Sequence, residues 1–266
     1  MRMNIYDLWS RIAVKLKIFA LASFILLLWV GCASAATIVV NQTSPACTTG
    51  DFYCDTIQEA VDMAEDGDTI IVCEGIYHEN VVIDKPLILK AAGNVTIEAP
   101  DTAKKVVLIK ANNVVFSSFN VKGGYVGIGL DNAQGCEIEN NSVFENDFGI
   151  ALRSSSGNTI LNNVAFKNKE NGIHLQDYSN NNSIINNTAC ENGNRGIHLY
   201  DSSEIEVYNN IVNKNLDGIV LISAKNTKIE NNTACENGNR GIHLYDSSEI
   251  EVYNNIHVCS VKYIVT

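Results

Sequence analysis

Residues 186–211 read NNTACENGNRGIHLYDSSEIEVYNNI, and residues 231–256 repeat this stretch without a change. Surface and core positions are copied alike, which packing alone does not require, so the identity indicates a recent duplication of a 45-residue unit. Within the unit, the tetrad Gly-Ile-x-Leu alternates aliphatic residues with a variable one. This alternation is typical of a strand with one buried face.

Two markers of this unit recur through the second half of the chain. Successive Gly-Ile-x-Leu tetrads are spaced by 22, 23, 24, 22 and 23 residues, and an Asn-Asn pair follows each of them. The second asparagines of the pairs are Asn141, Asn163, Asn187, Asn210, Asn232 and Asn255. A fixed period of this length is the signature of a solenoid, in which each repeat forms one coil.

The composition of each coil favours a parallel β-helix with coils of 22–24 residues. A leucine-rich repeat has the same period but needs several leucines at close spacing, whereas each copy here has one leucine in dense strand and turn composition. One coil buries too few aliphatic side chains to fold alone, so coils must stack. We expect the second asparagines to form a structural ladder, bonding to the coils above and below.

The beginning and the end of the predicted domain differ. Asp55 can cap a short amphipathic helix that starts near Thr56 and closes the first coil, and the β-helix domain then spans residues 36–256, with regular coils over 127–256. Residues 257–266 break the pattern, because the next tetrad is missing. We expect this tail to be truncated or frame-altered, which would leave the last coil open to edge-to-edge association.

The first 35 residues have the pattern of a secretory signal peptide. Basic residues precede an apolar run over residues 18–30, and Ala33-Ser34-Ala35 follows it. The pattern predicts a secreted or cell-surface protein with no stable membrane insertion after cleavage. An uncleaved anchor and lipid attachment at Cys32, which lies in a lipoprotein-like box, are the alternatives.

Composition excludes two classes of protein. The chain is 46% hydrophobic and 18% charged, with a formal net charge of −11. Disordered chains have fewer apolar and more charged residues, and nucleic-acid binders need a basic surface. The acidic balance favours neutral glycans, cations or cell-wall surroundings as partners.

Export permits disulfides among the cysteines that follow the signal peptide. Cys47 and Cys54 enclose a short glycine-containing loop and form the most plausible local pair. The rival pairing joins Cys54 to Cys73.

Residues 56–89 read TIQEAVDMAEDGDTIIVCEGIYHENVVIDKPLIL and lead into the Gly-Ile-x-Leu and Asn-Asn coils. This arrangement resembles secreted right-handed parallel β-helix proteins of the pectin-lyase-like superfamily. Within it, the sequence is similar to the branch called NosD-like, or carbohydrate-binding and sugar-hydrolysis, of archaeal cell-surface type. The resemblance implies an all-β, right-handed solenoid. The family includes polysaccharide lyases, hydrolases and a copper-associated periplasmic protein, so the resemblance alone does not select a chemistry.

The catalytic residues of such enzymes are not recognisable in the sequence, which contains neither Asp-Asp nor Gly-His-Gly. Glycan contact is therefore the favoured role, because a tyrosine ring can stack on a sugar while arginine and aspartate hydrogen-bond to it. The duplicated unit supplies two such sets, which are Arg195, Tyr200 and Asp201, and Arg240, Tyr245 and Asp246.

His174 and His198 take the same outward position on adjacent coils, about 5 Å apart, with Asp177 and Asp201 further along the same strands. Such a pair could hold Cu²⁺ or Zn²⁺. The alternative is that they are inherited surface histidines. The favoured role requires no cofactor, and Ca²⁺ or copper is the ion that the protein could bind.

Six Asn-x-Ser/Thr sequons are present in this exported chain. We expect Asn41, Asn94 and Asn181 to be accessible. We expect Asn140, Asn186 and Asn231 to be hidden, since they belong to the ladder pairs.

Together these patterns predict a non-catalytic surface module that binds a polysaccharide, a surface-layer glycan or a neighbouring surface protein. A polysaccharide lyase or hydrolase and a NosD-like copper-associated protein are the alternatives.

Overall fold

The computed structural model describes residues 35–42 and 47–256, together with the backbone of residues 262–263. The signal peptide, the Cys32 box and nearly all of the 257–266 tail lie outside the described residues. Within the described part, no helix is long and apolar enough to cross a membrane.

The chain winds into a parallel β-solenoid of three sheet faces, as the period predicts. One face, the front sheet, is a separate sheet that has nine strands in the described residues. Its strands are β4 (Val81–Ile83), β6 (Lys105–Ile109), β9 (Val126–Asp131), β12 (Phe148–Arg153), β15 (Ile173–Gln176), β18 (Arg195–Tyr200), β21 (Asp217–Ile222), β23 (Arg240–Tyr245) and β25 (Lys262–Tyr263).

The other two faces are arms of one larger sheet, and both pair with the long strand β5. The N-terminal strands of this sheet are β1 (Thr37–Val40), β2 (Phe52–Cys54), β3 (Thr69–His78) and β5 (Ile88–Glu98). The first arm contains β7 (Val115–Ser117), β10 (Glu137–Glu139), β13 (Thr159–Leu161), β16 (Ser183–Ile185), β19 (Glu206–Tyr208), β22 (Lys225–Glu230) and β24 (Ser248–Tyr253). The second arm contains β8 (Asn120–Lys122), β11 (Ser142–Phe144), β14 (Val164–Phe166), β17 (Thr188–Cys190) and β20 (Ile211–Asn213). Each regular coil runs from the first arm to the second arm and then to the front sheet.

The tetrads form the inner layer of the front sheet. The isoleucine and leucine of each regular coil, such as Ile173 and Leu175, are buried, and the registers align them from coil to coil. The residue between them faces outward. This confirms the predicted strand pattern and leaves one outward column of variable residues along the face.

The asparagine ladder is confirmed. Oδ1 of Asn163 accepts hydrogen bonds from the backbone N and Nδ2 of Asn141, both at 3.0 Å, and Nδ2 of Asn163 donates to the carbonyl of Ile138 at 2.8 Å. The same bonding continues coil by coil to Asn255. Each ladder side chain therefore satisfies backbone groups that a turn would otherwise leave unpaired.

A second asparagine ladder lies at the turn between the second arm and the front sheet. Its members bond to one another in the same manner, and they are Asn146, Asn168, Asn192, Asn215 and Asn237. Each follows the second asparagine of a pair by five residues, so its signal is present in the sequence.

The N-terminal end is closed by the expected helix, α1 (Ile57–Met63), whose buried side is Ile57, Ala60 and Val61. Its N-cap is Thr56 rather than Asp55, because the Thr56 hydroxyl accepts the hydrogen bond from the backbone N of Glu59 at 3.2 Å. The helix thus shields the end of the core, as predicted.

Both disulfide pairings expected for Cys54 are wrong. The structure joins Cys47 to Cys73 and leaves Cys54 as a free, buried thiol. The reason is the parallel pairing of β2 with β1, which places Cys54 opposite Val40 and within the hydrophobic core.

Candidate functional site

The arginines are grouped on the front sheet, with Asp131 and Asp217 on neighbouring strands. The three arginines of the described residues, Arg153, Arg195 and Arg240, all lie on front-sheet strands. Lys105 also lies on a front-sheet strand, β6, in register with Val126 on β9 and through it with Phe148 on β12. In a chain with 30 acidic and 19 basic residues, this concentration distinguishes the front face from the rest of the surface.

A depression of about 160 Å³ opens on this face. The outward column has small residues, Gly129 and Ala151, on two neighbouring coils before His174 fills the same column on the next, and the depression opens at Ala151. The Lys105 side chain lies across Gly129, since a Cβ there would be 2.5 Å from Lys105 Cδ. The residues around the depression include Lys105, Tyr125, Asp131, Phe148, Arg153, His174 and Gln176.

A row of rings forms one side of the depression and continues beyond it. Tyr125 meets Phe148 edge-on with centroids 5.6 Å apart, and Phe148 stacks on His174 at 5.7 Å. His174 then stacks on His198 at 4.7 Å, and His198 is 6.2 Å from Tyr200. Tyr125 and Tyr200, at the two ends, are 47% and 41% exposed and offer ring surface to a ligand.

Ion pairs form the opposite side. Lys105 Nζ lies 2.6 Å from Asp131 Oδ1, and both side chains are largely buried. Arg153 Nε lies 3.3 Å from Asp177 Oδ2, and the Arg153 side chain is 64% exposed. Arg153 is therefore the charged group best placed to meet a ligand from solvent.

The duplicated unit places the same arginine–histidine contact on β18 and β23. Arg195 Nη1 lies 3.1 Å and 3.0 Å from Nδ1 and Nε2 of His198. Arg240 Nη1 lies 2.7 Å and 3.3 Å from the corresponding atoms of His243. Because β21 separates the two strands, the copies are two coils apart on one face.

Burial and positive neighbours keep these imidazoles neutral. Burial, reinforced by Arg195, lowers the pKa of His174 to about 4, with Asp177 opposing the shift. Burial, followed by His174 and Arg195, lowers the pKa of His198 to about 2. Burial and Arg240 also lower the pKa of His243.

Three buried polar atoms on this face have no hydrogen-bond partner in the described part of the chain. They are His174 Nε2, Arg195 Nε and Asp217 Oδ1, on the adjacent strands β15, β18 and β21. Asp217 stands in register between Arg195 and Arg240. Unpaired buried polar atoms are rare in proteins, so their grouping marks this part of the face as functionally unusual.

The ligand-binding residues predicted from the sequence lie either on front-sheet strands or in the turns that follow those strands. Arg195, Tyr200, Arg240 and Tyr245 lie on the front-sheet strands β18 and β23. Asp201 and Asp246 follow those strands in left-handed turn positions, with φ of 46° and 47°. Sequence reasoning missed the depression, although the small residues of the outward column, Gly129 and Ala151, indicate it.

The predicted neighbour relation of His174 and His198 is confirmed, since the two residues are register partners. Their rings stack face to face, and Arg195 contacts His198. Asp177 forms an ion pair with Arg153. The described residues contain no group of three or more His, Cys, Asp or Glu arranged to hold a metal ion. Metal binding by the pair stays a prediction.

One relative is a surface protein. The chain is 40% identical over 115 residues to a cell surface glycoprotein of Methanothermus fervidus, a match that covers 42% of this chain and 18% of that glycoprotein. The chain thus spans a small part of the length of this relative.

Solved structures share the fold at low sequence identity. The pectate lyase Pel9A superposes with a TM-score of 0.63 and 15% identity, over 85% of this chain and 79% of that chain. A double mutant of the periplasmic alginate epimerase AlgG gives a TM-score of 0.59 and 17% identity, over 78% of this chain and 54% of that chain. At these identities the likeness shows the fold alone.

The family described as right handed beta helix region matches residues 104–257, which is more than half of the chain. The match includes the front-sheet strands β6 to β23 that carry the depression and the arginines. The chain therefore belongs to the right-handed β-helix family and has the pectin-lyase-like fold.

Proposed function

We propose that this chain is a secreted or cell-surface module that binds a carboxylate-bearing glycan along its front face. The observation that carries the proposal is the depression at Ala151, with rings on one side and Lys105 and Arg153 on the other. A sugar ring could lie in it against Tyr125 and Phe148.

The charges select the class of glycan. Arginine binds carboxylates through two parallel hydrogen bonds, and every arginine of the described residues lies on the front sheet. The acidic balance of the chain as a whole favours neutral glycans, but the front face departs from that balance. An acidic saccharide is thus the ligand that fits the local charge.

The surface location is supported by the relative, which is a cell surface glycoprotein. The predicted signal peptide agrees with that location.

Binding can be tested by equilibrium titration of the full chain with alginate and polygalacturonate oligosaccharides, and with neutral dextran oligosaccharides, each with and without Ca²⁺. We expect saturable binding of the acidic series. Arg153→Gln should weaken it about tenfold, as expected for a lost charge-assisted hydrogen bond. Ala151→Leu should abolish it by filling the depression without removing a polar group.

Lys228→Gln is the matched control, because it removes a positive charge from the exposed outer side of the first arm. We expect it to leave binding unchanged. Equal weakening by Arg153→Gln and Lys228→Gln would mean unspecific electrostatics and would contradict a front-face site.

Catalysis on an acidic polysaccharide is the second candidate. It is favoured by the unpartnered Asp217 oxygen between two arginines and by the lowered histidine pKa values nearby, because perturbed groups cluster at functional sites. New reducing ends or unsaturated products, lost in Asp217→Asn, would replace the binding role with an enzymatic one. Binding without product would support the module.

A further inference from the structure

The turn between the first and second arms carries a column of outward asparagines. These edge asparagines are the first members of the Asn-Asn pairs, Asn140, Asn162, Asn186, Asn209, Asn231 and Asn254. All have φ between 55° and 57°, a left-handed conformation that asparagine tolerates well. The second member of each pair takes the buried ladder position, so the edge asparagine faces outward.

This placement corrects the expectation that Asn140, Asn186 and Asn231 are hidden. Asn140 and Asn186 are exposed, and Asn231 is half-buried with its Nδ2 3.4 Å from Glu230 Oε1. The two asparagines of a pair lie in different environments, although they are adjacent in sequence. A left-handed residue between two strands turns the first side chain away from the core.

Only alternate edge asparagines belong to sequons. The residue two positions further on is Ser142, Thr188 or Thr233 in the sequons, and it is Val164, Ile211 or Ile256 in the intervening coils. These six residues are register partners in one continuous column of the second arm. Hydroxyl and aliphatic side chains therefore alternate strictly from coil to coil.

The alternation sets the spacing of the acceptors. Neighbouring parallel strands lie about 4.8 Å apart, so acceptors on alternate coils are about 9.6 Å apart. Glycans on adjacent coils would crowd one another, whereas the two-coil spacing leaves one coil free between them. The edge is also the one turn of the coil that does not border the front sheet.

We propose that Asn140, Asn186 and Asn231 carry N-linked glycans, received from a lipid-phosphate-linked oligosaccharide. The bond that forms joins Asn Nδ2 to C1 of the first sugar, and the bond that breaks joins that C1 to the lipid phosphate oxygen. The lipid phosphate leaves with the bonding electron pair, and Nδ2 loses one proton to a base of the transferase. No oxidant or reductant is needed.

The resulting row of glycans covers one edge of the solenoid and leaves the front face accessible. The 40% identical relative is itself a glycoprotein, which agrees with modification of such a chain. The inference requires export of the chain, but it does not depend on ligand binding by the front face.

The test is glycopeptide mass spectrometry on the full tagged chain, produced in a host that makes N-linked surface glycoproteins. We expect the same glycan mass on the peptides of Asn140, Asn186 and Asn231, and unmodified peptides for Asn162 and Asn209. Ser142→Ala, Thr188→Val and Thr233→Val should each remove the glycan from the paired asparagine alone, because they delete only the sequon hydroxyl.

Val164→Ala is the matched control in the same column, and it should leave all three glycans in place. Unmodified peptides at all three asparagines, in a preparation where other surface proteins of that host are glycosylated, would overturn the proposal. Glycans confined to Asn41, Asn94 or Asn181 would overturn it as well. Neither outcome would bear on front-face binding, which is measured separately.

Discussion

The imidazoles of His174 and His198 stack at 4.7 Å on neighbouring coils, where burial removes the water that would stabilise their protonated forms. Arg195 adds a positive charge that opposes protonation further. The neutral ring pair therefore serves as a flat, uncharged part of a face that otherwise carries arginines. At the residue scale, the electrostatics of this face depend on that pair staying neutral.

The pH dependence of folding should reveal this pair. In the unfolded chain both histidines protonate near pH 6.5, whereas in the folded protein the pKa of His174 is about 4 and that of His198 about 2. The unfolded state thus binds more protons below pH 6.5, so the free energy of unfolding should fall as the pH falls from 6.5 towards 4. The expected slope is at most about 1.4 kcal/mol per pH unit for each histidine.

Urea unfolding at pH 7, 6, 5 and 4.5 measures that slope. The double variant His174→Gln/His198→Gln should show a shallower decline than the parent, because only the carboxylates and the less buried His243 then contribute. His78→Gln is the control, since the His78 side chain is 66% exposed. An unchanged slope in the double variant would show that the pair does not carry the pH dependence.

At the scale of the strand, the first glycine of a tetrad is required by close approach between coils. A Cβ on Gly172 would lie 2.7 Å from Asn192 Nδ2 and 2.8 Å from the carbonyl oxygen of Gly196, both fixed by the next coil. A Cβ on Gly129 would meet the flexible Lys105 side chain instead. The two glycines thus have different roles, which are packing of the coil for Gly172 and the shape of the depression for Gly129.

We therefore expect Gly172→Ala to lower the free energy of unfolding by about 1–3 kcal/mol, the usual cost of overpacking. Gly129→Ala should change it much less, because only the end of a lysine side chain must move. Chemical denaturation of both variants checks the difference. Equal midpoints for Gly172→Ala and the parent would contradict the packing requirement.

The strands and the main ladder were predictable because each coil repeats the same local pattern. Ile173, Leu175 and Asn163 lie where the tetrads and Asn-Asn pairs place them. The depression was harder to predict because it depends on contacts between coils. Lys105 extends from β6 across Gly129 to Asp131 on β9, and no local sequence pattern indicates this contact between coils.

At the scale of the whole molecule, each coil contacts only its neighbours, so stability is distributed along the axis. The Cys47–Cys73 disulfide joins residues 26 apart at the N-terminal end, near α1. Its pairing was not predictable from loop length, because the parallel pairing of β1 and β2 decides which cysteine enters the core. Its effect should be confined to that end of the solenoid.

Replacing the disulfide with Cys47→Ala/Cys73→Ala should destabilise the first coils by about 3 kcal/mol, through the freedom gained by the unfolded loop. Amide hydrogen exchange should speed up in β1 and β2 and stay unchanged in β18 and β21. Cys190→Ala serves as the control, since Cys190 is a free thiol in the second arm. Equal acceleration in all coils would mean that the solenoid unfolds as a single cooperative unit.

The identical copies at residues 186–211 and 231–256 occupy equivalent places two coils apart. A tandem repeat of this kind lets unequal recombination lengthen or shorten the gene by whole units without disturbing the register. Each added unit would extend the solenoid by about 9.6 Å and bring one more arginine–histidine contact and one more edge sequon. The front face and the glycan-bearing edge would then lengthen together. The number of repeats in the gene would determine both the length of the protein and the number of its ligand and glycan sites.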